Sequence, residues 1–240
     1  SGDPDLALKI WRVIMTLPTQ PTYFKNVLGP DSGSEIPSAL RGDQGFAVAI
    51  YTLQVIDYAL QPGPHWTEAG LKQLLGFESR FVAQGGMACV LNFLLGLKER
   101  DWISSIAENV ALHTIKFLLQ STITSHAGGG GITGLLASPE TKGSIVGLID
   151  RLFQTDISGA DESGGGLDYV TDAVSVLMLL LKTAESSQLI TENTLARPFL
   201  CAMLTSRFER VRQAGMQLGE KMGHRGGDSV LEWLLECYTT

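Results

Sequence analysis

Cys89 and His113 are the two side chains of this sequence whose types could do covalent chemistry together. A thiol turns nucleophilic when it is partly exposed in an electropositive setting, with a histidine to take its proton and an Asn or Asp to orient that histidine. The two residues fall in adjacent predicted helices, so a fold could bring them close. Cys89, however, stands between Ala88 and Val90 on a helix that is apolar on most sides, a setting that favours core packing. The four histidines, His65, His113, His126 and His224, are too dispersed for a metal site by spacing, and no CxxC or HExxH occurs. Asp156, Asp161, Glu162 and Asp168 surround glycines but lack the alternating ligand order of an EF-hand, and read as solvated loop acids. Gly128 to Gly131 run into Ile132-Thr133-Gly134, not into the Gly-Lys-Ser/Thr of a phosphate loop, and no strand precedes them. They read as a linker. No residue is therefore assigned a catalytic, cofactor-binding or metal role, and no cofactor is expected. The residues of any binding face stay unassigned.

The elements that must position these residues are helices. From Phe81 the sequence runs FVAQGG, then MACVLNFLLGLKERD, then WISSIAENVALHTIKFLL to Leu119. One helix ends at Gly85-Gly86, where glycine accepts φ > 0, and another starts at once. That order is the grammar of a stacked-helix repeat and resembles the armadillo pattern at about one unit in length. Upstream, Asp3-Pro4 opens a helix with Leu6, Ile10, Ile14 and Leu17 on one face, and Pro18 ends it. A short helix after Thr19 presents Tyr23, Phe24, Val27 and Leu28. Phe46, Ile50, Leu53, Ile56 and Leu60 line one face of a helix stopped by Gln61-Pro62-Gly63-Pro64. Trp66–Leu75 and Phe77–Gln84 lead into the repeat-like unit.

Downstream, the spacing predicts helices over Lys142–Phe153, Leu167–Lys182, a short one from near Pro198 through Leu204, Arg207–Met222 and Ser229–Cys237. In the fourth, Phe208, Val211, Leu218 and Met222 share a side, and Ala214 and Gly215 allow a close helix neighbour. Loops are expected near 29–44, 121–134 and 158–166, where Gly, Ser, Pro and Asp gather. No segment has the period-two alternation of strands. The fold class expected is all-α, an irregular armadillo/HEAT-like α-solenoid of about ten to twelve helices in one segment spanning 1–240. The last helix has no polar cap after it, and solenoid ends need one. The sequence is thus expected to be a piece of a longer protein.

Composition narrows the partners. The net charge is −7, with 44% hydrophobic and 18% charged residues, which describes a buried core and argues against nucleic acid as a partner. Arg207, Arg210 and Arg212 have Glu209 among them and read as a solvated helix face. Mean hydropathy is +0.13, yet the longest apolar run, Val174–Leu181 with Ser175 inside it, falls far short of the roughly 20 residues that span a bilayer. No membrane association is expected. Asp3, Asp5 and Lys9 interrupt any signal-peptide core. The three cysteines, Cys89, Cys201 and Cys237, are odd in number and each apolar in context. They read as buried, unbridged thiols in a reducing, cytoplasmic or nuclear compartment. Trp66, Trp102 and Trp233 suit either core or the anchors of a binding groove.

Ile10-Trp11-Arg12-Val13-Ile14-Met15-Thr16-Leu17-Pro18-Thr19 resembles the leucine-tryptophan … leucine-proline-threonine signature in the helical regions of very large ubiquitin-specific proteases of the fat-facets type. The order of features after it is similar too. A variable loop precedes a helix like Ile50-Tyr51-Thr52-Leu53-Gln54-Val55-Ile56, then comes Phe81-Val82-Ala83-Gln84-Gly85-Gly86-Met87. Arg210-Val211-Arg212-Gln213-Ala214 resembles a short motif at a helix start in the same proteins. The resemblance implies a parent deubiquitinase, a thiol protease whose catalytic domain lies elsewhere. The family's cysteine box and histidine box are absent here, since the cysteines have the wrong neighbours and Gly223-His224 is followed by Arg225. No catalytic residue carries over. The resemblance therefore implies a non-catalytic scaffold that recruits substrates or regulators, other proteins of the ubiquitin pathway. The alternatives are a structural spacer and a generic armadillo-repeat adaptor outside that system.

Overall fold

The structure, a computed structural model, describes residues 39–40, 45–60, 77–97, 102–125, 139–157 and 166–226. Among them are nine helices and no strand. The expected helices near the N-terminus, at Trp66–Leu75 and at Ser229–Cys237 lie outside the described residues. The chain divides into two compact units, 1–118 and 119–240.

In the first unit α1 spans Phe46–Leu60, α2 Phe77–Ala83 and α3 Gly86–Gly96, and α4 runs Trp102–Ser125 across the unit boundary. α1 starts from Gly45, whose φ of 100° only glycine adopts cheaply, and its first backbone bond runs from Ala49 N–H to Gly45 O at 3.2 Å. Ile50, Leu53 and Ile56 are buried as their spacing requires. α2 and α3 meet at Gly85 (φ 79°). Gly85 N–H donates to Val82 O at 3.0 Å, closing α2, and Cys89 N–H donates to Gly85 O at 3.1 Å, opening α3. Gly86 lies against the ring of Phe81: a Cβ there would come within 2.5 Å of it. Phe81 in turn stacks on Phe77 at 5.6 Å, so the turn is packed as well as bent. Leu112, Ile115 and Leu118 of α4 complete the buried apolar set.

The second unit holds α5 (Pro139–Phe153), α6 (Gly166–Leu180), α7 (Ala184–Thr191), α8 (Ala196–Leu204) and α9 (Glu209–Gly226). α9 packs on α6, α7 and α8, while α7 also touches α5 and α6. Val211, Leu218 and Met222 give α9 its buried side. Gly215 permits the expected close approach, because a Cβ there would lie 2.8 Å from Met203 Cβ on α8. Asn193 joins the helices twice: its Nδ2 donates to Asp150 Oδ1 of α5 at 2.7 Å, and its Oδ1 accepts Leu195 N–H at 2.9 Å ahead of α8. Phe153 and Phe199 meet edge to face at 5.3 Å.

Some boundaries differ from the sequence reading. α4 continues from Leu119 to Ser125, through residues expected to begin a loop. Ala39 and Leu40, inside another expected loop, are helical and buried. α7 has no counterpart in the apolar spacing, because Ala184–Thr191 is half polar. Thr183 caps it by accepting Ser186 N–H. The four-glycine run lies outside the described residues.

Candidate functional site

In the first unit a polar cluster joins two of the described helices. His113 Nδ1 lies 2.9 Å from Asp57 Oδ1, joining α4 to α1 across 56 residues. An ionised carboxylate only accepts, so Nδ1 carries the shared proton. Thr114 donates mainly to Val110 O of its own helix at 2.8 Å and also approaches Asp57 Oδ1 at 3.3 Å. His113 and Asp57 retain 30% and 21% of their side-chain exposure, enough for both to remain partly hydrated. The His113 ring sets its edge against Phe117 at 5.1 Å. Sequence spacing raised Cys89 as a possible neighbour of His113 and favoured core packing for Cys89; the structure sets His113 against Asp57, which no local pattern marks. Cys89 is half-buried on α3 and in no disulfide.

The other candidates separate by position. Cys201 is disulfide-bonded, which corrects its reading as an unbridged thiol and removes the cysteine argument for a reducing compartment. Bridging depends on Cα proximity in the fold, which sequence separation does not report. Cys237, His65 and His126 lie outside the described residues, as do the side chain of His224 and the loop acids Asp161 and Glu162. Asp156 is exposed, and the exposed Asp168 sits 3.5 Å from Arg210. Arg212 pairs with Glu209 and donates to Ser206 O at 2.7 Å, while Arg207 lies over the Phe208 ring at 4.7 Å. Among the described residues, no three His, Cys, Asp or Glu side chains gather as a metal site. Also among them, no helix is long and apolar enough to cross a membrane.

Two carboxylates are displaced from their ordinary proton affinity. Burial at the start of α2 raises the pKa of Glu78. Hydrogen bonds from Arg212 and Gln213 lower that of Glu209. The exposed large apolar side chains among the described residues are Phe46 and Tyr58 on α1, Val146 on α5 and Met216 on α9. Of the three tryptophans weighed as anchors, Trp66 and Trp233 lie outside the described residues, as does the side chain of Trp102.

No protein-family model matches the chain, and neither a curated protein nor a solved structure matches it. Three of the segments that carry the family resemblance fall on described helices. Ile50–Ile56 lies within α1, Phe81–Met87 spans the α2–α3 turn, and Arg210–Ala214 lies at the start of α9. Ile10–Thr19 is outside the described residues.

Proposed function

We propose that this chain is a non-catalytic protein-interaction scaffold, an armadillo/HEAT-like solenoid segment of a large ubiquitin-specific protease that recruits substrates or regulators. The observation that carries the reading is the helix–Gly85-Gly86–helix unit followed by the long α4. Successive helices joined by tight turns bury faces against their neighbours and leave their outer surface for partners. The resemblance of the α2–α3 turn to the ubiquitin-specific proteases adds the ubiquitin context. In this reading the chain works on other proteins, in the cytoplasm or nucleus, and the parent's thiol protease chemistry lies in another domain.

The test is incubation with a ubiquitin probe bearing a thiol-reactive group, run beside an NMR titration of the labelled chain with ubiquitin. The scaffold reading expects no covalent adduct, with shifts confined to one contiguous face. An adduct on Cys89 would make that residue a nucleophile and overturn the reading. A titration without shifts would move the partner outside ubiquitin itself.

A second reading, a structural spacer, draws on the distribution of exposed large apolar side chains among the described residues. Phe46, Tyr58, Val146 and Met216 are scattered over three helices, and isolated exposed apolar residues are ordinary on a protein surface. A spacer would bind neither ubiquitin nor ubiquitinated substrates at micromolar concentrations.

A further inference from the structure

We propose that the Asp57–His113 contact is a pH-sensitive clamp between α1 and α4, one that tightens as the imidazole takes up a proton. With a neutral ring the link is a hydrogen bond from Nδ1–H to an ionised carboxylate, at 2.9 Å, charged on the acceptor side alone. Protonation changes neither the donor atom nor the geometry. It adds a positive charge to a ring already in contact with a carboxylate, turning a hydrogen bond to one ion into an ion pair, and an opposite charge in contact favours the charged imidazole.

Burial opposes this, because a desolvated imidazole resists its proton. Here the two side chains keep 30% and 21% exposure, so the desolvation is partial while the carboxylate is in direct contact. The contact outweighs the burial. Exposure is also low enough that solvent and salt screen the pair less than they would a surface pair.

The surrounding charges belong in the balance. On α4, Glu108 favours protonation of His113, and Lys116, which reaches over Phe117 at 5.8 Å, opposes it. On α1, Asp57 is the charged residue, and Tyr51 and Tyr58 are the other titratable groups. α3 carries no Asp, Glu, Lys, Arg or His, and its titratable group is Cys89. α2 carries Glu78 and Arg80, of opposite sign. Of these groups, the Asp57 carboxylate is the one placed in hydrogen-bond contact with the ring at 2.9 Å.

A proton bound more tightly in the folded chain stabilises it most below the imidazole's unfolded value of about 6.5, and the contribution fades as pH rises past the folded value. The contact therefore contributes most below about pH 6.5. The clamp stands on the geometry of the first unit alone and holds whether or not the scaffold reading does.

Thermal melts of the full chain between pH 5.5 and 8.5, beside His113→Gln, Asp57→Asn and the double variant, test it. The wild type is expected to lose roughly 2–4 °C more than either single variant across that range, and the double variant is expected to behave like the singles. Equal slopes in wild type and His113→Gln would overturn the proposal, as would a wild-type slope of opposite sign. Should a variant fail to fold, the wild type decides by NMR. A His113 ring titration midpoint above that of an unperturbed histidine supports the clamp, and one at or below it overturns it.

Discussion

Two buried polar atoms, Gln54 Oε1 and Thr155 Oγ1, have no hydrogen-bond partner among the described residues. Gln54 sits on α1 between the buried Leu53 and Val55, itself 5% exposed, and an unmet buried acceptor costs about 1–3 kcal/mol. Gln54→Met keeps the length and removes the amide. It is expected to stabilise the chain by about 1 kcal/mol in urea unfolding, and a loss of stability would mean the amide is satisfied. Glu78 gives a prediction with a pH sign. Its folded pKa is raised by burial, so the folded chain holds that proton more tightly and gains stability as pH falls through the carboxylate range. At neutral pH the ionised group is a cost. Glu78→Gln is therefore expected to raise Tm at pH 7, on the order of 1 °C, and to flatten the profile between about pH 4 and 6. Melts at both ends of that range decide it. At this scale the sequence was legible where apolar residues recur every three or four positions, as at Ile50, Leu53 and Ile56. It was silent on Asp57–His113, a pair 56 residues apart, and on the Cys201 bridge. It also hid the buried Thr52 and Thr114, whose hydroxyls donate to carbonyls one turn back on their own helices and so sit in an interface at little cost.

Helix turns and crossings depend here on glycines that differ in what they do, and substitution separates them. Gly85 adopts φ 79° with open space around it, so Gly85→Ala costs backbone strain alone, about 1–2 kcal/mol. Gly86 has an ordinary φ, but its Cβ would meet the Phe81 ring at 2.5 Å. That ring is buried and stacked on Phe77, so it has little room to move. Gly86→Ala is expected to cost about 1–3 kcal/mol through overpacking. Gly215→Ala belongs with it, since the atom it would meet is Met203 Cβ, which no rotamer change can withdraw. Gly143 on α5 is the control: nothing lies within 4 Å of its Cβ position, and Gly143→Ala is expected to stabilise by up to about 1 kcal/mol through helix propensity. Urea denaturation of the four variants checks the set, and a destabilised Gly143→Ala would break the argument. The sequence announced Gly85-Gly86 as a helix junction and Gly215 as a close approach because glycine in those contexts has few other uses. It did not announce α7, where the helix depends on a threonine cap and on contacts with α5, α6 and α9, nor the polar end of α4.

On the scale of the molecule, what sequence periodicity could not supply is which helices pack on which. All-α architecture follows from spacing, but the armadillo or HEAT arrangement is a matter of helix order in space. The second unit shows why its packing bears on stability. α9 touches α6, α7 and α8, and α7 also reaches α5 and α6, so each of the five helices has a partner within the unit. Lys142–Glu185 and Asn193–Asp150 add polar links from α5 to α7 and to the turn after it. A set of helices that closes its apolar faces internally should fold as one cooperative block. Residues 119–240 expressed alone are therefore expected to give a helical circular-dichroism spectrum and a single thermal transition. Removing Met222, buried on α9, should lower that transition, because Met→Ala in a core costs about 2–5 kcal/mol. A fragment of low helicity that melts without a transition would mean that this unit draws its stability from the preceding chain, as repeats in a solenoid do. That outcome would favour the repeat architecture, and a cooperative fragment would favour two self-sufficient helical units in one chain.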